Sequence, residues 1–261
     1  MPKISVVTVN YNNANGLSKT IQSVLAQDLD ELEYIVIDGG SEDKSTEVIK
    51  SFESSIDHWI SESDSGVYEA MNKGIDRASG EYVLFLNSGD EFFTSETLKK
   101  VLPQLDSGKD IYYGNLIFIH KLKEMSRDYP KSMDFEYFLE RSLPHPGSFI
   151  RRSLFDTIFR YSEHFRIVSD WEFFIVAILK EKVSYKHLHL VISRFELDGM
   201  SNDPKNKQGI EEERFEVIKK HFPERLKEYW DWRKIKEKEM KKAGKVSLVS
   251  RVKRKINRLK K

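Results

Sequence analysis

Four short polar segments of this 261-residue sequence carry the side chains best suited to chemistry, and each follows an apolar run. They are Asn10-Tyr11-Asn12, Asp38-Gly39-Gly40, Asp64-Ser65-Gly66 and Asn87-Ser88-Gly89-Asp90. Such apolar runs predict buried strands, and the carboxyl ends of strands are where open α/β sheets hold their ligands. Carboxylates gathered at one sheet edge indicate metal or phosphate chemistry.

The strands that must position these segments alternate with amphipathic helices. We predict strands at Ile4–Val9, Tyr34–Ile37, His58–Ile60 and Tyr82–Leu86. Apolar residues recur at steps of three and four from Val67 to Ala78, which predicts a helix that ends near Gly80. The alternation predicts an α/β fold with a parallel sheet built from strand-helix-strand units.

The alternation of strand and helix patterns becomes less regular after Pro103. The sequence predicts an α+β arrangement for that part of the chain. Strand-like segments occur at Ile111–Tyr113, Leu116–Ile119 and Val183–Phe195, and the helical pattern runs from Asp170 to Lys180. The following polar loop, which contains Gly199-Met200-Ser201, is of the kind that can close over a ligand.

Composition narrows the class of protein. With 39% hydrophobic residues the chain can bury a full core, and its length suits one large domain or one domain with an appendage, of which we expect one domain. The absence of cysteine excludes disulfides and thiolate chemistry and is consistent with a reducing compartment. No apolar run approaches the roughly 20 residues of a spanning helix, and the N-terminus lacks signal-peptide zones. We therefore expect a cytoplasmic protein that does not cross the membrane.

The C-terminal region has a charge opposite to that of the remainder. Residues 234–261 hold 13 Lys and Arg against Glu237 and Glu239, a net +11, which leaves −10 for the rest of the chain. Leu248, Val252, Ile256 and Leu259 form an apolar stripe among basic residues. This pattern predicts a basic amphipathic helix that binds an anionic membrane surface through residues 245–261, peripheral at its inner face. A solvated tail and a nucleic-acid-binding arm are the alternatives; the lack of interleaved aromatic residues disfavours nucleic acid.

Three segments together resemble family 2 glycosyltransferases of the GT-A fold, which are inverting and use nucleotide sugars. They are Ile4 to Gln27, Tyr34 to Asp43, and the region from Ser61 through FLNSGDEF, and the resemblance extends to about Ser201. It implies a central, mainly parallel sheet flanked by helices, with a C-terminal helical extension. By this resemblance residues 1–110 would bind the nucleotide sugar and residues 111–220 the acceptor. The charge and apolar pattern described above predicts that residues 221–261 form a helical, basic tail.

The resemblance assigns nucleotide binding to residues at the first three strand ends and their surroundings. Tyr11 would stack on the base, Asp38 would accept the imide N–H of uracil or thymine, and Asp64 would lie beside base and ribose. The full set is Thr8, Asn10, Tyr11, Asp38, Gly39, Asp64, Asn72 and Ser88. Turn formation is the structural alternative for Asn10 to Asn12, a turn with a helix cap for Asp38, and solvation or back-bonding for the mid-helix Asn72.

Asn87-Ser88-Gly89-Asp90 occupies the place of the family's Asp-x-Asp metal motif but has only one carboxylate, that of Asp90. Substrate oxygens and water can fill most of the coordination sphere of a divalent ion. We therefore expect Mg²⁺ or Mn²⁺ bound through Asp90, with lower affinity than at a two-carboxylate site.

Asp170 matches the family's general base, the group that takes the proton from the acceptor hydroxyl. A helix N-terminal cap is the structural alternative, and Glu172 is the second candidate for the base. The resemblance places His145, Trp171 and Glu172 on the acceptor or phosphate side. His187 and His189 alternate on a predicted strand, and for these a structural role is the favoured interpretation.

Two functions follow from these assignments. The first is transfer of a sugar from a UDP- or dTDP-sugar to a hydroxyl of a glycan or lipid-linked glycan, as in surface polysaccharide or glycoconjugate biosynthesis. The second is a catalytically weak sugar-nucleotide-binding protein that tethers a biosynthetic complex to the membrane, which the depleted metal motif favours. A dinucleotide-binding oxidoreductase is disfavoured because no Gly-x-Gly-x-x-Gly follows the first strand.

Overall fold

The computed structural model describes residues 2–121, 123–197 and 199–239. The chain divides into two compact units, the first ending at Glu213 and the second beginning at Arg214. The predicted membrane-binding segment 245–261 lies outside the described residues. Within the described ranges, no helix is long and apolar enough to cross a membrane.

The N-terminal part of the first unit alternates strands with helices, as the apolar pattern predicts. Its elements are β1 (Ile4–Asn10), α1 (Ala14–Leu25), β2 (Leu32–Asp38), α2 (Ser45–Ser51), β3 (His58–Ser61), α3 (Val67–Arg77) and β4 (Tyr82–Phe85). The four strands lie in the order β3-β2-β1-β4 and all pair in parallel. Their carboxyl ends therefore share one edge of the sheet.

The rest of the first unit completes the sheet and covers it. Its elements are β5 (Glu91–Phe92), α4 (Thr97–Leu105), β6 (Ile111–His120), β7 (Lys123–Arg127), α5 (Phe135–Glu140), β8 (Ser148–Arg151), α6 (Leu154–Thr157), α7 (Ser169–Ile175) and β9 (Tyr185–Glu196). Helix α8 (Lys207–His221) begins in this unit and ends in the second. Residues Val176–Lys180 continue α7 as a wider helical turn.

The second part of the sheet is mixed. The strand order continues from β4 through β8, β6 and β9 to β5, and β7 pairs with β6. Strand β8 is antiparallel to both β4 and β6, whereas β9 runs parallel to β6. The two strand-like segments predicted between Ile111 and Ile119 form the single strand β6, because a register shift near Asn115 interrupts its apolar pattern without ending the pairing.

Both faces of the sheet are covered. On one face, buried residues of β1, β2 and β4 pack with α1, α2 and α4 in one apolar cluster that includes Val6, Leu17, Ile49 and Leu98. On the other face, α3 lies so close to β1 that a Cβ atom at Gly74 would come within 2.4 Å of Val7 Cγ1. Close packing of α3 is important for the site because this helix begins directly after Asp64-Ser65-Gly66.

The described part of the second unit consists of the end of α8 and a helix over residues 226–239. Aromatic rings join the two helices: the ring centre of Phe215 lies 5.6 Å from that of Tyr229 and 5.1 Å from that of Trp230. This arrangement agrees with the helical extension predicted from the sequence.

Substitution of Gly74 tests the contact between α3 and β1. We expect Gly74→Val to lower the free energy of unfolding by about 2 kcal/mol, because the added methyl groups must displace the buried Val7 side chain. Gly209→Val is the matched control, since nothing lies within 4 Å of a Cβ at that helical position. Urea unfolding of both variants measures the difference, and equal stabilities would contradict the packing described for α3.

Candidate active site

The carboxylate of Asp38, at the end of β2, connects the ends of three strands. Its Oδ1 accepts hydrogen bonds from Asn10 Nδ2 (2.7 Å) and Ser41 Oγ (2.6 Å). Its Oδ2 accepts from the backbone N–H of Ser41 (3.0 Å) and from Ser61 Oγ (2.6 Å). Asn10 ends β1 and Ser61 ends β3, so this one side chain holds the parallel strands in register at the edge of the sheet.

These hydrogen bonds keep Asp38 ionised although it is fully buried. Burial alone would raise the pKa of Asp38, but the donors Ser41, Ser61 and Asn10 outweigh it, and the pKa lies below its usual value of 3.8. All four hydrogen bonds to Asp38 come from protein groups. Asp38 therefore connects the strand ends at the edge of the sheet.

Next to Asp38, the edge of the sheet carries one exposed aromatic ring and two buried hydrogen-bond acceptors. The ring of Tyr11 is 66% exposed. A Cβ at Gly39 would lie 3.1 Å from Asp64 Oδ2 and 3.4 Å from Tyr11 Cδ2, so these three residues are neighbours. Asp64 Oδ2 and Asn10 Oδ1 are both buried and have no hydrogen-bond donor among the described residues. The site therefore offers a stacking face beside acceptors that lack donors.

The other oxygen of Asp64 is paired with Lys73, a residue of α3 that also contacts Glu62 (2.9 Å) and Glu69 (3.0 Å). Burial raises the pKa of Asp64, and the charges of Glu69 and Glu62 act in the same direction against the lowering effect of Lys73. Lys73 thus fixes the direction of the Asp64 side chain and leaves Oδ2 facing Gly39.

Two residues predicted to line the nucleotide pocket have their polar groups engaged within the fold. Thr8 is fully buried, and its hydroxyl donates to the Leu86 carbonyl (2.8 Å) and contacts Tyr34 Oη (3.1 Å). Thr8 lies two positions after the core residue Val6 in β1, so strand periodicity places both side chains on the same, buried face. Asn72 Nδ2 donates to the Tyr161 carbonyl (2.9 Å) and Asn72 Oδ1 accepts from the Tyr161 N–H (3.1 Å).

The end of β4 carries the predicted metal motif. The backbone turns at Gly89, whose φ of +106° is a conformation that favours glycine. Thr20 of α1 holds this turn by donating to the Asp90 carbonyl (2.7 Å), and Asn13 Nδ2 donates to the Ser88 carbonyl (3.1 Å). The motif is thereby fixed against α1 and its capping residue Asn13.

The Asp90 carboxylate is buried beside Glu196, which ends β9. Asp90 Oδ1 accepts from the Glu196 N–H (3.3 Å), and a Cβ at Gly89 would lie 3.6 Å from Glu196 Oε2. Burial raises the pKa of Asp90 well above its usual value, and the charges of Glu196 and Glu91 add to this effect. Sequence reasoning missed Glu196 because its proximity depends on the pairing of β5 with β9.

The side-chain oxygen atoms at this turn are suitable ligands for a hard divalent cation. Asn87 Oδ1 is buried and has no hydrogen-bond donor among the described residues, and it precedes the Asp90 carboxylate by three positions. Within the residues that the structure describes, no group of three or more His, Asp or Glu side chains is placed to hold a metal ion. A cation here would need ligands from a substrate and from water.

Asp170 lies in the first turn of α7, and two other elements hold that turn. Tyr68 of α3 places its hydroxyl 2.9 Å from Asp170 Oδ1. The Glu213 carboxylate accepts from the N–H groups of Arg166 (2.9 Å), Ile167 (3.0 Å) and Val168 (3.1 Å), just before the helix. Sequence reasoning identified neither Tyr68 nor Glu213, since both contacts join residues far apart in the chain.

The side chains predicted beside Asp170 form the packed layer behind it. Trp171 is buried and donates its indole N–H to the Phe138 carbonyl (2.8 Å), and Glu172 is also buried. His145 stacks on Phe85 with 4.8 Å between ring centres, and its Nε2 lies 2.9 Å from Tyr161 Oη. Burial lowers the pKa of His145, while the negative charge of Asp170 acts in the opposite direction.

His187 and His189 face each other, with 3.2 Å between their Nδ1 atoms. His187 Nε2 lies 2.8 Å from Asn115 Oδ1, which also accepts the Tyr129 N–H (3.1 Å), so Nε2 is the donor in that pair. These contacts agree with the structural role favoured from the sequence.

Comparison with known proteins identifies the family. Residues 5–170 match the model described as Glycosyl transferase family 2. The chain belongs to glycosyl transferase family 2. This confirms the resemblance seen in the sequence and makes the protein a glycosyltransferase enzyme.

Curated relatives of this family 2 glycosyltransferase cover most of its length. The PGL/p-HBAD biosynthesis glycosyltransferase of Mycobacterium bovis is 28% identical over 208 residues, covering 77% of this chain and 80% of the relative. An uncharacterized glycosyltransferase of Mycobacterium tuberculosis is 32% identical over 207 residues, covering 77% of this chain and 78% of the relative.

Solved structures confirm the GT-A fold of this family 2 enzyme. S. aureus TarS 1-349 in complex with UDP-GlcNAc superposes with a TM-score of 0.62 at 21% identity, covering 74% of this chain and 58% of TarS 1-349. The mannosyltransferase PcManGT from Pyrobaculum calidifontis, in complex with GDP-Man and Mn²⁺, gives a TM-score of 0.58 at 16% identity, covering 77% and 59%. The chain thus spans about three-fifths of each of these structures.

Substitution of Asp38 tests its role at the sheet edge. We expect Asp38→Asn to lower the free energy of unfolding at neutral pH by about 1.5–3 kcal/mol, because an amide cannot accept all four hydrogen bonds. The lowered pKa means that the stabilisation by Asp38 is present above its unfolded-state pKa and is lost as pH falls through its folded-state pKa. The difference between wild type and variant should therefore shrink below pH 3.8.

Urea unfolding at several pH values measures this difference. Asp106→Asn is the control, because the Asp106 side chain is 78% exposed. A gap between wild type and Asp38→Asn that stays constant down to about pH 3 would contradict an ionised, hydrogen-bonded Asp38.

Proposed function

We propose that this enzyme transfers a sugar from a UDP- or dTDP-sugar to a hydroxyl of a glycan or lipid-linked glycan. The observation that carries this proposal is the pair of buried acceptors, Asp64 Oδ2 and Asn10 Oδ1, beside the exposed ring of Tyr11. A pyrimidine nucleoside supplies what these groups lack: a flat base to stack on Tyr11, and N–H and ribose hydroxyl donors. The nucleotide site in this proposal consists of Asn10, Tyr11, Asp38, Gly39, Asp64 and Ser88.

Asp170 is the general base in this proposal. It takes the proton of the acceptor hydroxyl while that oxygen attacks the anomeric carbon from the face opposite the nucleoside diphosphate, so the configuration inverts. Its place in the first turn of α7, held by Tyr68 and Glu213, supports a fixed orientation of the carboxylate. His145, Trp171 and Glu172 support that segment from behind.

Asp90 and Asn87 are the residues that would hold Mg²⁺ or Mn²⁺ at the end of β4. When bound, such an ion would neutralise the charge that develops on the departing nucleoside diphosphate. PcManGT, which was solved with GDP-Man and Mn²⁺, and TarS, which was solved with UDP-GlcNAc, support the choice of a nucleotide-sugar donor through their shared fold.

We extend the proposal to the organisation and location of the chain. Residues 1–110 would bind the donor, residues 111–220 the acceptor, and the tail 221–261 would bind an anionic membrane surface through residues 245–261. The relative named for PGL/p-HBAD biosynthesis supports a role in glycoconjugate biosynthesis. The single carboxylate of the metal motif favours the second candidate, a catalytically weak sugar-nucleotide-binding component of a membrane-tethered complex.

The variant Asp170→Asn distinguishes the active transferase from the catalytically weak sugar-nucleotide-binding protein. With a panel of UDP-, dTDP- and GDP-sugars and Mn²⁺, we expect wild type to be stabilised by a uridine or thymidine sugar and to hydrolyse it slowly. Asp170→Asn should bind the same sugar equally well and lose about 100-fold or more in hydrolysis, since only the base is removed. A variant that hydrolyses as fast as wild type would contradict the role of Asp170, and absence of binding by any sugar would contradict the transferase proposal.

Asp90→Asn tests the proposed ion. We expect it to weaken Mn²⁺ binding in the presence of UDP by about 10-fold or more, because the site loses its buried carboxylate. Electron paramagnetic resonance of free Mn²⁺ measures the affinity without any turnover. Glu91→Gln, which removes the neighbouring carboxylate, is the control, and equal affinities for the two variants would contradict the assignment of Asp90.

A further inference from the structure

The hydroxyl of Tyr68 lies between two acceptors. It is 2.5 Å from the Ile167 carbonyl and 2.9 Å from Asp170 Oδ1. A phenol has one proton and can donate it to only one of these oxygens at a time. The geometry is thus satisfied in two ways: Tyr68 donates to an ionised Asp170, or it donates to Ile167 and accepts a hydrogen bond from a protonated Asp170.

Each of the three groups is held in place by the fold. Tyr68 is buried, and its ring lies 5.7 Å from that of Tyr161. The Ile167 and Asp170 segment is fixed by the three N–H groups that donate to Glu213. The Tyr68 proton can therefore change acceptor by rotation about the C–O bond alone.

Tyr68 keeps its proton throughout. Burial raises the pKa of Tyr68 well above its usual value, and the charge of Asp170 raises it further. The groups that face Asp170 from the surrounding segments are Tyr68 of α3, His145 before β8, and Tyr161 before α7. Of these, only Tyr68 has a hydrogen bond to Asp170 assigned in the structure.

We propose that Tyr68 is a positioning residue for the base: its hydroxyl orients the Asp170 carboxylate before the reaction and turns to Ile167 once Asp170 has received the acceptor proton. This inference rests on the proposed function of Asp170. In the step concerned, the acceptor O–H bond breaks and its proton goes to the Asp170 carboxylate. The acceptor oxygen forms the new bond to the anomeric carbon, and the nucleoside diphosphate leaves with the electron pair of the old one.

Tyr68→Phe removes one oxygen atom and leaves the ring in place. We expect kcat/KM for hydrolysis of the panel sugar to fall about 10-fold at neutral pH, with the KM for that sugar unchanged, because Asp170 loses the hydrogen bond that orients its carboxylate. UDP release measured over a range of sugar concentrations separates kcat from KM, and a raised KM with an unchanged kcat would contradict a role of Tyr68 in positioning the base.

Tyr82→Phe is the matched control. Its hydroxyl donates to the Lys109 carbonyl (2.8 Å), and it begins β4, at the end of that strand opposite the site. A Tyr68→Phe variant with the same kcat and KM as Tyr82→Phe would overturn the inference. If Tyr68→Phe does not fold, 3-fluorotyrosine at position 68 retains the ring and is a stronger donor. Because a carboxylate that is hydrogen-bonded more strongly is a weaker base, kcat should then fall with KM unchanged, and an unchanged kcat would overturn the inference.

The double variant Tyr68→Phe/Asp170→Asn distinguishes failure of this inference from failure of the proposed function. If Tyr68 acts through Asp170, the double variant is no slower than Asp170→Asn alone. Independent, multiplying losses would show that Tyr68 acts elsewhere. If Asp170→Asn alone is as active as wild type, the proposed base itself is wrong, whatever Tyr68→Phe does.

Discussion

The buried carboxylate of Asp38 is the interaction on which the site depends. Its four hydrogen bonds connect the ends of β1, β2 and β3, and a satisfied polar network inside a protein is rigid because breaking any part of it leaves a buried group without a partner. With the strand ends fixed, Tyr11, Gly39 and Asp64 lie together. Because the strand ends are fixed, they do not move to provide donors for Asp64 Oδ2 and Asn10 Oδ1. These two acceptors therefore remain available to a ligand.

Helix α3 links this edge to the segment that carries Asp170, the proposed base. It begins after Asp64, packs on β1 through Gly74, and reaches across to residues 161–170 through Tyr68 and Asn72. Asn72, which is predicted to support the nucleotide, makes two of these contacts through its hydrogen bonds to the backbone of Tyr161. The donor and acceptor sides of the proposed reaction are thus positioned by one helix, and a small displacement of α3 would alter both.

Local pattern in the sequence predicted the first four strands, the helices between them and the polar ends that meet at one edge, because apolar periodicity and parallel pairing determine those features. Thr8 lies two positions after Val6, and the same periodicity places both side chains on one side of β1. The contacts of Glu196, Tyr68 and Glu213 could not be predicted in this way. Their contacts join residues far apart in the chain, Tyr68 and Asp170 being separated by 102 positions, and depend on packing that no local pattern encodes.

Calorimetric titration of UDP into wild type, Tyr11→Phe and Tyr11→Ala tests the central claim most directly, that the strand ends form a nucleoside site. Tyr11 is 66% exposed, so neither substitution should disturb the fold. The account predicts that Tyr11→Phe, which retains the aromatic face, binds like wild type, whereas Tyr11→Ala loses about 10-fold or more in affinity. Equal binding of UDP by all three proteins, or no binding by wild type, would contradict it.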